Sequence, residues 1–175
     1  MTTEWRNPRL VSQYSESNAE TIHIKWDDSN SYAGLRSSNG SSVGTLGKLI
    51  HIARSPKPDI VNKTYYIKMT NYSFTNLSNT INGIELKLLS KRVGRITDDT
   101  ISLTYNNQLI GENQARLEIN PTMYYGGPLL LWGVSNITKQ IIEDPSFGVV
   151  LRFKSHPEWP HSDPMDLISV QLRIH

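Results

Sequence analysis

The chain has 175 residues, of which 37% are hydrophobic and 19% charged; that is enough to bury one core, and the length fits a single domain over residues 1–175 better than two. The formal net charge is only +2, the Lys and Arg residues are scattered, and although the pI is near 8.8 no basic stripe or block marks a nucleic-acid partner. Cysteine is absent, which excludes thiolate nucleophiles and thiolate metal sites and leaves packing as the source of stability.

The opening, Met1-Thr2-Thr3-Glu4-Trp5-Arg6-Asn7-Pro8, has neither a basic n-region nor an apolar h-region, and no apolar run approaches the ~20 residues that span a bilayer as a helix. The expectation is a soluble protein without an export signal and without a membrane partner. A first strand is expected at Ile22 to Trp26, with Asp27-Asp28 as a turn. Residues 37–47, rich in Ser, Gly and Asn, read as a flexible loop because such a composition buries little apolar area. Ser55-Pro56-Lys57-Pro58-Asp59 reads as an extended connector into a strand over Tyr65 to Thr70.

From Ile81 onward the period of two is persistent. Ile84, Leu86 and Leu88 alternate with Glu85 and Lys87; Ile101, Leu103 and Tyr105 with Ser102 and Thr104; Val149, Leu151 and Phe153 with Val150, Arg152 and Lys154; Ile168, Val170, Leu172 and Ile174 with Ser169, Gln171 and Arg173. Each pattern gives a sheet one apolar face. Turn residues punctuate the runs at Asn82-Gly83, Gly94, Asp98-Asp99, Asn120-Pro121 and Gly126-Gly127-Pro128, and Asn106-Asn107 closes a hairpin onto Leu109 and Ile110. A short strand is expected at Arg116 to Ile119. The one helical stretch is Thr138 to Glu143, with Ser135 or Asn136 as cap and Asp144-Pro145 as stop. Sequons at Asn62, Asn71, Asn76 and Asn136 read as Asn-rich turns. The fold class expected is all-β, an antiparallel sandwich or jelly roll with one short helix.

The segment Tyr124-Tyr125-Gly126-Gly127-Pro128-Leu129-Leu130-Leu131-Trp132-Gly133 stands apart from the alternation. Gly126 and Gly127 suit a close backbone approach, and Trp132 suits closure of one end of a core with its indole nitrogen bonded to a carbonyl. Phe147-Gly148 reads as an anchor and a bend before a central strand. Taken in order with Asn82-Gly83-Ile84-Glu85-Leu86-Lys87, Ile96 to Leu103, Ile110-Gly111-Glu112-Asn113-Gln114-Ala115, Ser146 to Leu151 and Leu167 to Leu172, this segment resembles a β-sandwich module of tailed-bacteriophage virion structural proteins. The structural motif residues are then Gly83, Tyr125, Gly126, Gly127, Trp132, Gly133, Phe147 and Gly148. The resemblance implies a packing scaffold without a catalytic motif, found in tail, fibre and head-associated proteins. Residues 41–65 and 155–164 depart from the module and are where specificity of this chain's own would lie.

Residues 155–164, Pro-rich, and the Asp that follows hold the one cluster of ligand-type density: His156, Glu158, His161, Asp163 and Asp166. Imidazole and carboxylate suit zinc or manganese. The spacing fits no named motif, and the favoured reading is a rigid contact loop with Trp159 as its anchor and His156 and His161 beside it. Asp98-Asp99 and Asp27-Asp28 are paired carboxylates of the kind glycosidases use, but the turn reading is preferred. No nucleophile elbow or phosphate-cradling glycine loop is present. The expectation is therefore a non-enzymatic virion structural protein without a cofactor, assembled in the host cytoplasm. A capsid decoration or cement role bound to the major capsid protein comes first, a tail, neck, baseplate or fibre component second, and a carbohydrate-binding module for host attachment third; a homo-oligomer is expected on a symmetric particle.

Overall fold

The computed structural model describes residues 2–16, 23–24, 47–48, 63–92, 96–118, 120–155 and 165–175. Its strands are β1 (Leu10–Tyr14), β2 (His23–Ile24), β3 (Gly47–Lys48), β4 (Lys63–Thr64), β5 (Tyr66–Thr70), β6 (Ile84–Arg92), β7 (Ile96–Tyr105), β8 (Gln108–Ile110), β9 (Thr122–Gly126), β10 (Gly148–Ser155) and β11 (Met165–Ile174), with one helix, α1 (Lys139–Glu143), and the four alternating runs lie within β6, β7, β10 and β11. The strands form two sheets. In the seven-stranded sheet β10 is central: β7 flanks one side and carries β8, while β5 and β4 share the other side in tandem, β5 edged by β1. In the four-stranded sheet the order is β3-β11-β6-β9. All pairings are antiparallel except β2 with β4.

The two apolar faces meet in one continuous core. Ile84, Leu86 and Leu88 of β6 and Val170, Leu172 and Ile174 of β11 pack with Ile67 and Met69 of β5, Ile101 and Leu103 of β7, and Val149, Leu151 and Phe153 of β10. Burial of each such side chain contributes about 1.5–3 kcal/mol, so the period-two pattern is what drives the sheets together. The all-β sandwich with little helix follows directly from it. The N-terminal segment lies along β11, with an Arg6 to Leu172 bridge and the Thr3 amide donating to the Ile174 carbonyl.

Several local expectations are corrected. Asp98-Asp99 is not a turn but lies inside β7, where the register against β10 slips between Arg152 and Phe153 and leaves Asp99 as the extra, bulged residue. Arg116 to Glu118 form no strand: the Arg116 amide donates to the Asp98 carboxylate, and Asn113 supplies the edge bonds of β7 instead, its side-chain oxygen accepting from the Ile101 and Ala115 amides and its nitrogen donating to the Asp99 carbonyl. Ile119 lies outside the described residues. The helix is capped by Thr138, whose hydroxyl accepts from the Ile141 amide, rather than by Ser135 or Asn136. Strands β1 and β9 have no counterpart in the pattern reading.

The final strand holds the most consequential change. A bulge between Leu167 and Ser169 shifts the pairing with β6, so that Leu167 is fully buried and Ile168 is only half-buried. Of the other expected features, the Asn106-Asn107 hairpin is present, both residues taking the left-handed backbone of a type I′ turn. Gly47 belongs to β3, and the rest of the 37–47 loop lies outside the described residues, as do Asp27-Asp28, Gly94 and residues 156–164 with Trp159, His156 and His161.

Candidate functional site

The glycine and aromatic residues that set this chain apart converge on one end of the sandwich. Tyr124 and Tyr125 are the last side chains of β9 and, being adjacent on a strand, face opposite ways. Tyr125 points inward, fully buried, and donates its hydroxyl to Asp98 Oδ2 at 2.6 Å, a bond that ties the four-stranded sheet to the seven-stranded one. Tyr124 points outward and is half exposed.

Trp132 is buried, and its indole Nε1 donates to the Ile84 carbonyl at 2.9 Å. Its backbone is left-handed, φ 56°, a strained state for a bulky residue. The strain is held from two sides, by the indole bond and by the Glu112 amide, which donates to the Trp132 carbonyl at 2.6 Å. Gly126, φ 72°, fits under this ring: a Cβ there would lie 2.1 Å from the Ile84 oxygen and 2.3 Å from Trp132 Nε1. Gly83 meets the carbonyl of Gly127 equally closely, and Gly133 lies against Glu112. Phe147 is fully buried and Gly148 opens the central β10 against Met69 and Thr70. Gly111, which packs against Trp132, belongs to the same node; its place in the ordered segments was the available signal.

The node fixes a backbone loop whose tip side chains, Leu129 and Leu130, are exposed. Ile84 donates to the Leu130 carbonyl and Leu130 to the Gly127 carbonyl, yet Leu129 is 83% exposed and Leu130 56%. A rigid backbone presenting two neighbouring exposed leucines is a contact surface in form, because docking them costs little chain entropy. Replacing Trp132 with Phe should remove the indole bond and part of the buried ring; a loss of about 2 kcal/mol in urea unfolding is expected, with loop 127–133 becoming the first segment to exchange its amides.

A second cluster occupies the outer face of the seven-stranded sheet. Arg152 of β10, buried, donates Nε to Asp99 Oδ2 at 2.6 Å and approaches Glu16 Oε2 at 3.3 Å, while its guanidinium stacks 4.0 Å from the Tyr66 ring centre. Lys63 reaches Asp99 at 3.0 Å and Lys154 at 3.8 Å; Tyr66 donates to Glu16 at 2.8 Å and stacks on Tyr14 at 5.0 Å. Burial alone would raise the Asp99 carboxyl, but Lys63 and Arg152 outweigh it and hold it below the usual carboxylate range. The Tyr66 hydroxyl, together with Arg152, holds Glu16 low as well. Burial, and then the Glu16 carboxylate, push the Tyr66 hydroxyl up. The bulge at Asp99 creates this cluster, since it turns Asp99 to the face that Arg152 occupies.

On the four-stranded sheet the outer face carries Trp5, with the Arg173 guanidinium 4.4 Å from its ring, Arg173 paired to Glu85, and Tyr124 at 6.1 Å. These side chains cover the sheet. Among the described residues no group of three or more His, Asp or Glu side chains is placed to hold a metal ion. No family model, no curated protein and no solved structure matches the chain.

Proposed function

We propose that this chain is a virion structural protein of a tailed bacteriophage, acting through its surfaces on other virion proteins, with a capsid decoration role ahead of a tail, neck or baseplate role. The observation that carries the reading is the node. The segments on which the resemblance rests, around Gly83, Gly111, Gly126 and Trp132, are scattered over some fifty residues of sequence but interlock in space. Their buried members are committed to packing, and what they hold out to solvent is an apolar tip at Leu129 and Leu130. A scaffold that spends its distinctive residues on rigidity and exposes leucines suits attachment rather than turnover.

The Pro-rich segment with Trp159, flanked by His156 and His161, is the second proposed contact, on composition alone. The experiment is occupancy on particles. Heads purified from a tail-deficient mutant should carry the protein if it decorates the capsid and lack it if it belongs to the tail. On whichever particle binds it, the Leu129→Ser, Leu130→Ser double variant should keep the wild-type melting temperature and bind roughly tenfold more weakly, the loss of about 1.4 kcal/mol expected for two partly buried apolar contacts. Trp159→Ala, measured in parallel, reads the second contact. Absence of the wild-type protein from every virion fraction would end this reading.

A further inference from the structure

A cleft of about 490 Å³ opens on the outer face of the seven-stranded sheet, at the end away from Arg152. That lies within the ~300–1,000 Å³ of small-molecule sites. Its floor is β1 and β5, where Leu10 faces Thr70 and Ser12 faces Lys68. Its wall is the Asp144-Pro145-Ser146 turn after α1, with Asn107 of the β7 to β8 hairpin beside it.

The walls are held in place before any ligand arrives. Asp144 Oδ1 accepts from the Ser146 amide at 2.8 Å and lies 2.7 Å from the Ser146 hydroxyl. The same hydroxyl accepts from the Asn106 amide at 3.3 Å, which stitches the turn to the hairpin. Lys68 Nζ donates to Asn107 Oδ1 at 2.7 Å, which stitches the hairpin to the floor. A site built this way loses little entropy on binding.

Its chemistry is mixed. The Ser146 hydroxyl and amide hold the Asp144 carboxyl below its usual range, so it is ionised at neutral pH and repels anions. The Lys68 ammonium repels cations. The Ser12 hydroxyl can donate and accept, the Asn107 side-chain nitrogen donates while its oxygen holds Lys68, and the Asp144 carboxylate accepts. Leu10, 55% exposed, and Pro145 supply aliphatic surface. An uncharged ligand rich in groups that both donate and accept, with one C–H face to lay on Leu10 and Pro145, satisfies all of these at once.

We infer that this cleft is a binding site for one or two units of a neutral saccharide. The inference stands independently of the virion reading, since a saccharide site serves a head or a tail protein equally and is assayed on the isolated chain. The test is an NMR titration of the full-length protein with galactose, N-acetylglucosamine, rhamnose and lactose, with glucuronate and glucosamine as charged comparators. At least one neutral sugar should shift the amides of Leu10, Ser12, Lys68, Asn107 and Ser146 with a Kd on the order of 1 mM. Asn107→Gly keeps the left-handed turn and removes the amide; Lys68→Met keeps the stem and removes the charge. Each should leave the melting temperature in place and weaken binding about tenfold. The inference is overturned if no neutral sugar shifts these amides, if the shifts fall elsewhere, if both variants bind as wild type does, or if glucuronate or glucosamine binds more tightly than every neutral sugar.

Discussion

Leu172→Asp and Leu167→Asp should each leave the protein insoluble, while Ile168→Asp should fold and unfold cooperatively. Leu172 has no exposed surface and is flanked on β11 by Leu86 of β6 and by Arg6 of the N-terminal segment. A carboxylate placed there would be ionised without a partner, at a cost of several kcal/mol, a large part of the roughly 5–15 kcal/mol that stabilises a domain. Leu167 is equally buried because the bulge turns it inward. Ile168, which strict alternation would bury, is the residue the bulge releases. The comparison is made by the soluble fraction on expression and by urea unfolding. An insoluble Ile168→Asp beside a soluble Leu167→Asp would put the register of β11 one residue away from that described.

The contrast at Leu167 and Ile168 shows what a period-two pattern carries and what it omits. Alternation states that one face is buried, and Ile84, Leu86 and Leu88 of β6, Ile101 and Leu103 of β7, and Val149, Leu151 and Phe153 of β10 are buried as it named, whereas Tyr105 is only half-buried and Val150, on the other face, is buried too. It cannot state where a strand gains a residue, because a bulge is decided by the partner strand. The same limit accounts for Asp98-Asp99: two acidic residues look like a turn until Arg152 on one face and Tyr125 on the other supply each with a partner. Arg116 to Glu118 misled for a related reason, since Asn113 forms the edge bonds that a strand would otherwise make.

The node was legible because its residues are chemically unusual where they stand: glycines and a tryptophan beside a strand end have few other uses. The cleft was not. Its side chains come from residues 10–12, 68–70, 107 and 144–146, four segments that share no motif and meet only through the order of β1, β5, β10 and β7. The Arg152 cluster falls between these cases. An arginine between Leu151 and Phe153 was visible, but its partners Asp99, Tyr66 and Glu16 lie 53 to 136 residues away in sequence.

Arg152→Leu should destabilise the protein by roughly 3 kcal/mol and change how stability depends on acid. Removing one member of a buried ion cluster leaves the other charge uncompensated, which costs more than the pair itself contributed. Asp99 would keep Lys63 at its edge but lose its closest cation, and Glu16 would lose the group that holds it to β10. In the wild type the folded-state pKa values of Asp99 and Glu16 lie below their ordinary values of 3.8 and 4.5. Stability from these carboxylates is therefore fully present above those ordinary values and is lost as pH falls through the lower folded values. In the variant Lys63 still lowers the Asp99 carboxyl but Arg152 no longer adds to it, and burial still raises it, so the folded-state values move toward the ordinary ones and the stability lost on acidification should be smaller and end at a higher pH. Melting temperatures taken from about pH 7 down to about pH 2 on wild type, Arg152→Leu and Arg152→Lys would show it. Lysine restores the charge without the planar guanidinium, so it should recover the position of the acid limb but only part of the stability, the remainder belonging to the stack on Tyr66 and the Nε bond to Asp99. Identical acid limbs in all three proteins would mean that Lys63 and Lys154 alone hold Asp99 ionised and that Arg152 acts by packing.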